Sequence, residues 1–354
     1  MTSRTSHAGL SVSRIALGVL VAAFMALPAW TGSADETVPP RFSDGEIKII
    51  VSHGPWPARV GADPTNRVSG MPDAIELGTL LFFDQRLSGS GTKACATCHV
   101  PERNWTDNLS RGVGITELDR NTPTLMNLRG QRWYGWDGAA DSLWSQSLRP
   151  ILDARELAAT PRHVAKLVRE DEQLSCRYQR VYGAPPSPSD DEAVFVNVGK
   201  VLASFQETLV SGSTPFDQFR NAVARGESPS SLSYSTSAQR GLQIFIGKGG
   251  CTSCHSGPNF TSGEFFKTSF SRSEPPSRPD PGRQEGTRQL RESRFNLLGP
   301  DNDDGTGASA AHTSLASRRR VQLQKGEALQ TGQSTPRSST PGWLPSKTWR
   351  AGSV

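Results

Sequence analysis

Long apolar runs are almost missing from this 354-residue chain. Ile15 to Ala29 is the one extended apolar stretch, and nothing later is long enough to cross a bilayer. Alternating polar and apolar residues, the mark of half-buried strands, are scarce, which argues against an all-β fold. Cysteine is limited to five residues, too few for a disulfide-dense scaffold. Acidic residues are missing from the first 34 positions, which hold Arg4 and Arg14, and the last 38 positions carry seven bases against Glu327 alone. The formal charge of +5 therefore belongs to the two ends, since residues 35–316 hold 30 bases and 33 acids. A nucleic-acid binder needs a basic face on its folded body, and this body is slightly acidic.

The apolar run has its own explanation. Arg4 and Arg14 precede it, Pro28 closes it, and Gly32, Ser33 and Ala34 follow. Fifteen residues fall short of the ~20 that span a bilayer. A positive start, a short apolar centre and a small-residue end read as a secretory signal over residues 1–34. The expected location is the bacterial periplasm, without stable membrane insertion once the signal is removed.

Four of the five cysteines fall in two copies of one pattern, Cys95-Ala-Thr-Cys98-His99 and Cys251-Thr-Ser-Cys254-His255. Two residues between the thiols let both reach the vinyl groups on one edge of a porphyrin, and the adjacent histidine can then ligate the iron. Cys-x-x-Cys-His is the attachment signature of c-type haem. Zinc would need two thiolate pairs brought together and would not ask for either histidine. A redox dithiol would need a βαβ context. Two copies behind an export signal point to two covalently bound c-type haems. Cys176 is left over, as a buried or minor surface thiol.

Around these motifs the chain reads as helical, with long loops. Residues 35–70 are expected to form an extended polar arm. A helix opens at Pro72 with Ile75, Leu80, Leu81 and Phe82 as its buried stripe. Residues 100–135, rich in Gly, Asn, Arg and Trp, read as loop around a cofactor, and Leu143–Leu148 as a short helix. Thr160-Pro161 is a cap and first-turn pair, followed by Val164, Leu167 and Val168 at helical spacing. Asp190 and Asp191 start a helix whose apolar face is Val194, Val198, Val201, Leu202, Phe205 and Leu209. Ala238, Leu242, Phe245 and Ile246 lie on the helix leading to the second motif. The fold expected is all-α, with two cytochrome c-like haem domains over residues 35–225 and 226–316 and a basic, disordered tail over 317–354.

From about residue 78 to 304 the chain resembles the bacterial diheme cytochrome c peroxidase family, which includes the methylamine-utilisation protein MauG. The resemblance rests on Leu80-Leu-Phe-Phe-Asp-Gln-Arg-Leu-Ser88, both haem motifs, Thr106-Asp107, Arg120-Asn-Thr-Pro-Thr124, Trp136-Asp-Gly138, Gln146, Pro150, Glu156, Pro215-Phe-Asp217 and Ser256-Gly-Pro-Asn-Phe260. The family reduces hydrogen peroxide or directs its oxidising power at another protein. The resemblance implies that the haem on His99 meets peroxide and the haem on His255 relays electrons. It assigns Glu156 as the distal proton shuttle, Gln146 as its neighbouring amide, Trp136 as the tryptophan between the haems and Asn121 as a ligand of a calcium ion. On bare sequence Glu156 reads as a solvated helix residue, and Trp136 as packing between domains. The partners implied are hydrogen peroxide and a small electron donor, a cytochrome c or a cupredoxin; a homodimer stays open. Two other readings stand beside this one: a diheme electron carrier without peroxide chemistry, and an inactive truncated relative.

The chain departs from the family in two places. The loop that carries a distal histidine in many members reads Gly112-Val113-Gly114, and no histidine occurs between His99 and His163. Valine cannot ligate iron, so the first haem is expected to be open to peroxide. After Asp304 the stretches that complete the second haem pocket do not follow. The last methionine is Met126 and the last tyrosine Tyr234, so the usual distal ligands of the second haem are missing. His312 is the only nearby histidine and reads as a solvated loop residue. A reading-frame change near Ala316–Arg320 would account for the tail.

Overall fold

The computed structural model describes residues 38–227, 234–267 and 280–313, together with the backbone of 328–330. The expected signal segment lies outside the described residues, as does the tail apart from those three. The described residues are helical almost throughout, and their one sheet is a two-stranded antiparallel pair of β1 (Phe265–Lys267) and β2 (Ala328–Gln330). The all-α expectation holds.

Helix α7 (Asp191–Gln206) organises the main core. Asp190 caps it by accepting from the Ala193 amide. The sequence suggested one apolar face, but α7 is buried on all sides from Val194 to Gln206, Asn197 alone being partly exposed. Helices α2 (Pro72–Phe83), α4 (Leu143–Leu152) and α5 (Pro161–Glu170) surround it. Its polar residues are therefore paired, because an unpaired buried polar group is costly. Lys200 Nζ lies 2.7 Å from Asp303, and Gln206 Nε2 donates to Ser147 Oγ at 2.8 Å.

Two glycines set these crossings. A Cβ on Gly78 of α2 would lie 2.0 Å from the Val201 carbonyl oxygen, and one on Gly199 of α7 would lie 2.9 Å from the Trp144 carbonyl oxygen. The same crossing corrects the α2 stripe. Ala74, Leu77, Gly78, Leu81 and Phe82 face inward at helical spacing, while Leu80 faces out.

A second, smaller cluster forms around Ile50, Phe219, Leu242 and Ile246. It joins α1 (Asp44–Ser52), α8 (Pro215–Ala224) and α9 (Thr236–Ile246). Helix α1 overturns the expected extended arm. Ser43 and Glu46 form a reciprocal capping box, and Ile50 is fully buried. A single inward apolar residue in a nine-residue helix leaves a weak periodic signal, so the cap and the tertiary contact decide the conformation.

Candidate active site

The first haem motif forms the single turn α3 (Cys95–Cys98), with the His99 amide donating to the Cys95 carbonyl at 3.0 Å. Ser88 Oγ receives the amides of Thr92 and Lys93 and so shapes the loop leading into it. His99 Nδ1 lies 3.0 Å from the Trp105 carbonyl oxygen. That contact orients the ring, the arrangement found behind ligating histidines. Burial lowers the His99 pKa, which keeps the imidazole neutral and able to ligate.

The second motif repeats this geometry on the turn Cys251–Ser253. The His255 amide donates to the Cys251 carbonyl at 2.9 Å, and His255 Nδ1 lies 3.1 Å from the Phe260 carbonyl oxygen. In both motifs the accepting carbonyl belongs to an aromatic residue in the left-handed region, Trp105 at φ 61° and Phe260 at φ 52°. The repeat therefore extends beyond the Cys-x-x-Cys-His residues into the backbone that aims each histidine.

Cys95, Cys98 and His99 line a cleft with about 840 Å³ of empty space, partly open to solvent, and Gln146 and Glu156 line it with them. Glu156 sits on the turn after α4, tied down from two sides. The Gly89 amide donates to the Leu157 carbonyl at 2.8 Å, and the Ile115 amide donates to the Arg155 carbonyl at 2.7 Å. Burial, reinforced by nearby Asp153, pushes the Glu156 carboxyl up to about 7. A carboxyl with this pKa can both accept and return a proton near neutral pH. By sequence alone Glu156 reads as solvated; the fold places it in the cleft. Gln146 Oε1 is buried there without a hydrogen-bond partner.

The Gly112–Gly114 loop passes close to the backbone of Glu156. A Cβ on Gly114 would lie 2.7 Å from Glu156 Cα, and the Val113 carbonyl lies 3.4 Å from Cys98 Sγ. The Val113 side chain is exposed. The loop thus brings backbone, and no ligating side chain, to the edge of the cleft.

Trp136 stands beside the cleft rather than in its lining, while its neighbour Gly135 is part of that lining. Its indole Nε1 donates to the Asn121 carbonyl at 2.8 Å. Arg120 lies 3.0 Å from Asp137 and forms a two-pronged bond to Asp280. From the other side Arg283 donates to the carbonyls of Asp137 and Gly138, its guanidinium packed over the rings of Trp133 and Phe265 at 4.1 and 4.4 Å. Asn121 is exposed. Among the described residues no group of three or more His, Cys, Asp or Glu side chains could hold a metal ion, so calcium rests on the resemblance alone. His312 is packed 4.9 Å from the Trp133 ring, not solvated as the sequence suggested, and Cys176 is exposed.

The donor set fits a covalently attached haem: two thiols and an oriented, neutral histidine on one wall, with an orphaned amide oxygen and a carboxyl also lining the cleft. The fold and two such motifs define a helical protein of the diheme c-type class. Residues 72–225 match the family described as di-haem cytochrome c peroxidase. Through this segment the chain is similar to the diheme cytochrome c peroxidases and MauG proteins. It is 37% identical to the methylamine utilization protein MauG of Methylorubrum extorquens over 196 residues, 55% of this chain and 52% of that protein. It is 31% identical to the cytochrome c551 peroxidase of Nitrosomonas europaea over 221 residues, 61% of each chain. The chain thus spans 52% and 61% of the lengths of these two relatives. Among solved structures, a MauG-like protein associated with microbial copper homeostasis superposes with a TM-score of 0.51 at 19% identity, covering 86% of this chain and 88% of that one. That likeness concerns the fold.

Proposed function

We propose that the chain is a periplasmic diheme peroxidase of the MauG-like kind, with c-type haems on Cys95, Cys98 and His99 and on Cys251, Cys254 and His255. The two haem domains would run over residues 35–225 and 226–316. The reaction is the two-electron reduction of hydrogen peroxide, in which one peroxide, two protons and two electrons give two waters. The electrons come from a small donor protein, a cytochrome c or a cupredoxin, through the second haem. When bound, the haem iron supplies the redox centre at which the O–O bond is broken.

The chain's own contribution is proton handling and positioning. Glu156 takes the proton from one peroxide oxygen and returns it to the other, so that the departing oxygen leaves as water. Gln146, whose amide oxygen has no partner in the protein, is available to orient the bound peroxide. The Gly112–Gly114 loop offers no histidine, so the haem on His99 is open to peroxide in the resting protein. Trp136, bonded to the Asn121 carbonyl and followed by Asp137 and Gly138, which Arg120 and Arg283 hold, keeps a fixed place for electron passage between the haems.

The observation that carries this reading is a carboxyl with a pKa of about 7 lining the same cleft as a haem-attachment motif. Glu156→Gln keeps the shape and removes the titrating proton. The expected outcome is a loss of roughly 10²–10⁴ in the rate of peroxide turnover, the usual weight of general acid–base catalysis, with haem content unchanged. Unaltered turnover would remove Glu156 from the chemistry, and a wild-type protein that turns over no peroxide would favour a diheme electron carrier.

A further inference from the structure

Helix α1 lies outside the family-matched segment 72–225 and ends on a histidine with no assigned role. His53 is 1% exposed. Its Nδ1 lies 2.8 Å from the Ile49 carbonyl oxygen, and its Nε2 lies 3.1 Å from the carbonyl oxygen of His255, 202 positions along the chain. Carbonyl oxygens only accept and a neutral imidazole carries one N–H, so the tautomer sets which of the two carbonyls it donates to. The imidazole also packs against Phe260 with ring centres 4.8 Å apart, and lies within 6.1 Å of Phe245 and 6.3 Å of Phe216. Phe260 is the residue whose carbonyl aims the His255 ring, and Phe245 lies 6.3 Å from that ring.

One buried side chain therefore touches both the backbone of His255 and the aromatic residue that orients it. A histidine that served only to fill space would need neither contact, and leucine would fill the site without leaving a polar atom to satisfy. We propose that His53 is a positioning residue for the second haem: it fixes the rotation of the His255 imidazole and thereby the reduction potential of the iron that His255 holds. Groups behind a ligating histidine tune the metal in this way. The inference rests on the reading that His255 ligates a second haem.

The test uses the full-length holoprotein and two variants. His53→Leu keeps the apolar packing and removes the donor; His53→Gln keeps an amide donor. Spectroelectrochemical titration resolves the two haem potentials, and haem content is measured on the peptide carrying Cys251 and Cys254. The expected result is a shift of one midpoint potential in His53→Leu, with the other unmoved, and return toward the wild-type value in His53→Gln. Loss of haem from that peptide in the Leu variant but not in the Gln variant would support the proposal equally. Unchanged potentials in His53→Leu, equal shifts of both, or haem loss in both variants would overturn it. A wild-type peptide without haem would overturn the diheme reading itself, an outcome distinct from these.

Discussion

Glu156 links burial to chemistry most directly. Its carboxyl ordinarily titrates near 4.5 and stands at about 7 in the fold, chiefly because the cleft removes water from it. Below the ordinary value both folded and unfolded chains hold the proton. Between there and about 7 only the folded chain holds it, so this group's contribution to stability falls as pH rises and levels off above 7. Catalysis runs the other way. A base must be ionised to accept a proton, so peroxide turnover should rise about tenfold per pH unit below the inflection and flatten above about pH 7. A stopped-flow pH series checks this, and the inflection should vanish in Glu156→Gln. In Asp153→Asn it should move to lower pH, because Asp153 adds to the upward push. The haem motifs were legible in the sequence because attachment chemistry is local: two thiols and a histidine within five positions. The state of Glu156 was not, because its burial depends on backbone from residues 89 and 115. His53 escaped for the same reason, being a lone histidine whose partner lies 202 positions away.

The elements show how little room the site leaves. α2 and α7 touch at Gly78, where any side chain meets the Val201 carbonyl. Gly78→Ala should force the helices apart and lower stability by roughly 1–3 kcal/mol, the usual cost of overpacking, read as a lower denaturation midpoint of the holoprotein. Gly114→Ala should press the loop against Glu156 and slow peroxide turnover while both haems stay attached. The Trp136 loop is held by charge rather than by regular structure. Arg120 spans Asp137 and Asp280, so Arg120→Ala removes the cation shared by a buried and a partly exposed carboxylate. The expected cost is roughly 1–3 kcal/mol, below the range for fully buried pairs because these groups keep some contact with water. The periodic pattern of α7 and the caps of α5 and α7 were readable in advance. The all-round burial of α7 was not, because Lys200 and Gln206 look like surface residues until Asp303 and Ser147 are seen to meet them.

At the scale of the whole molecule, the +5 charge of the sequence describes its ends, and the body that carries the site is mildly acidic. Among the described residues no helix is long and apolar enough to cross a membrane. The two haem motifs share their backbone geometry but not their surroundings. The first opens on a cleft that holds Glu156 and Gln146; the second is backed by α1, α8 and α9 through His53 and its ring of phenylalanines. This asymmetry suits a division between a haem that meets peroxide and a haem that passes electrons. It was partly visible in the sequence, through Gly112-Val113-Gly114 and the missing distal ligands, whereas the role of α1 emerged only from packing. The most direct test is electron paramagnetic resonance of the isolated ferric protein, with signals quantified against total haem. The account predicts two haems per chain and a high-spin ferric signal from the open haem on His99. A single haem per chain, or a spectrum that is low-spin throughout, would contradict it.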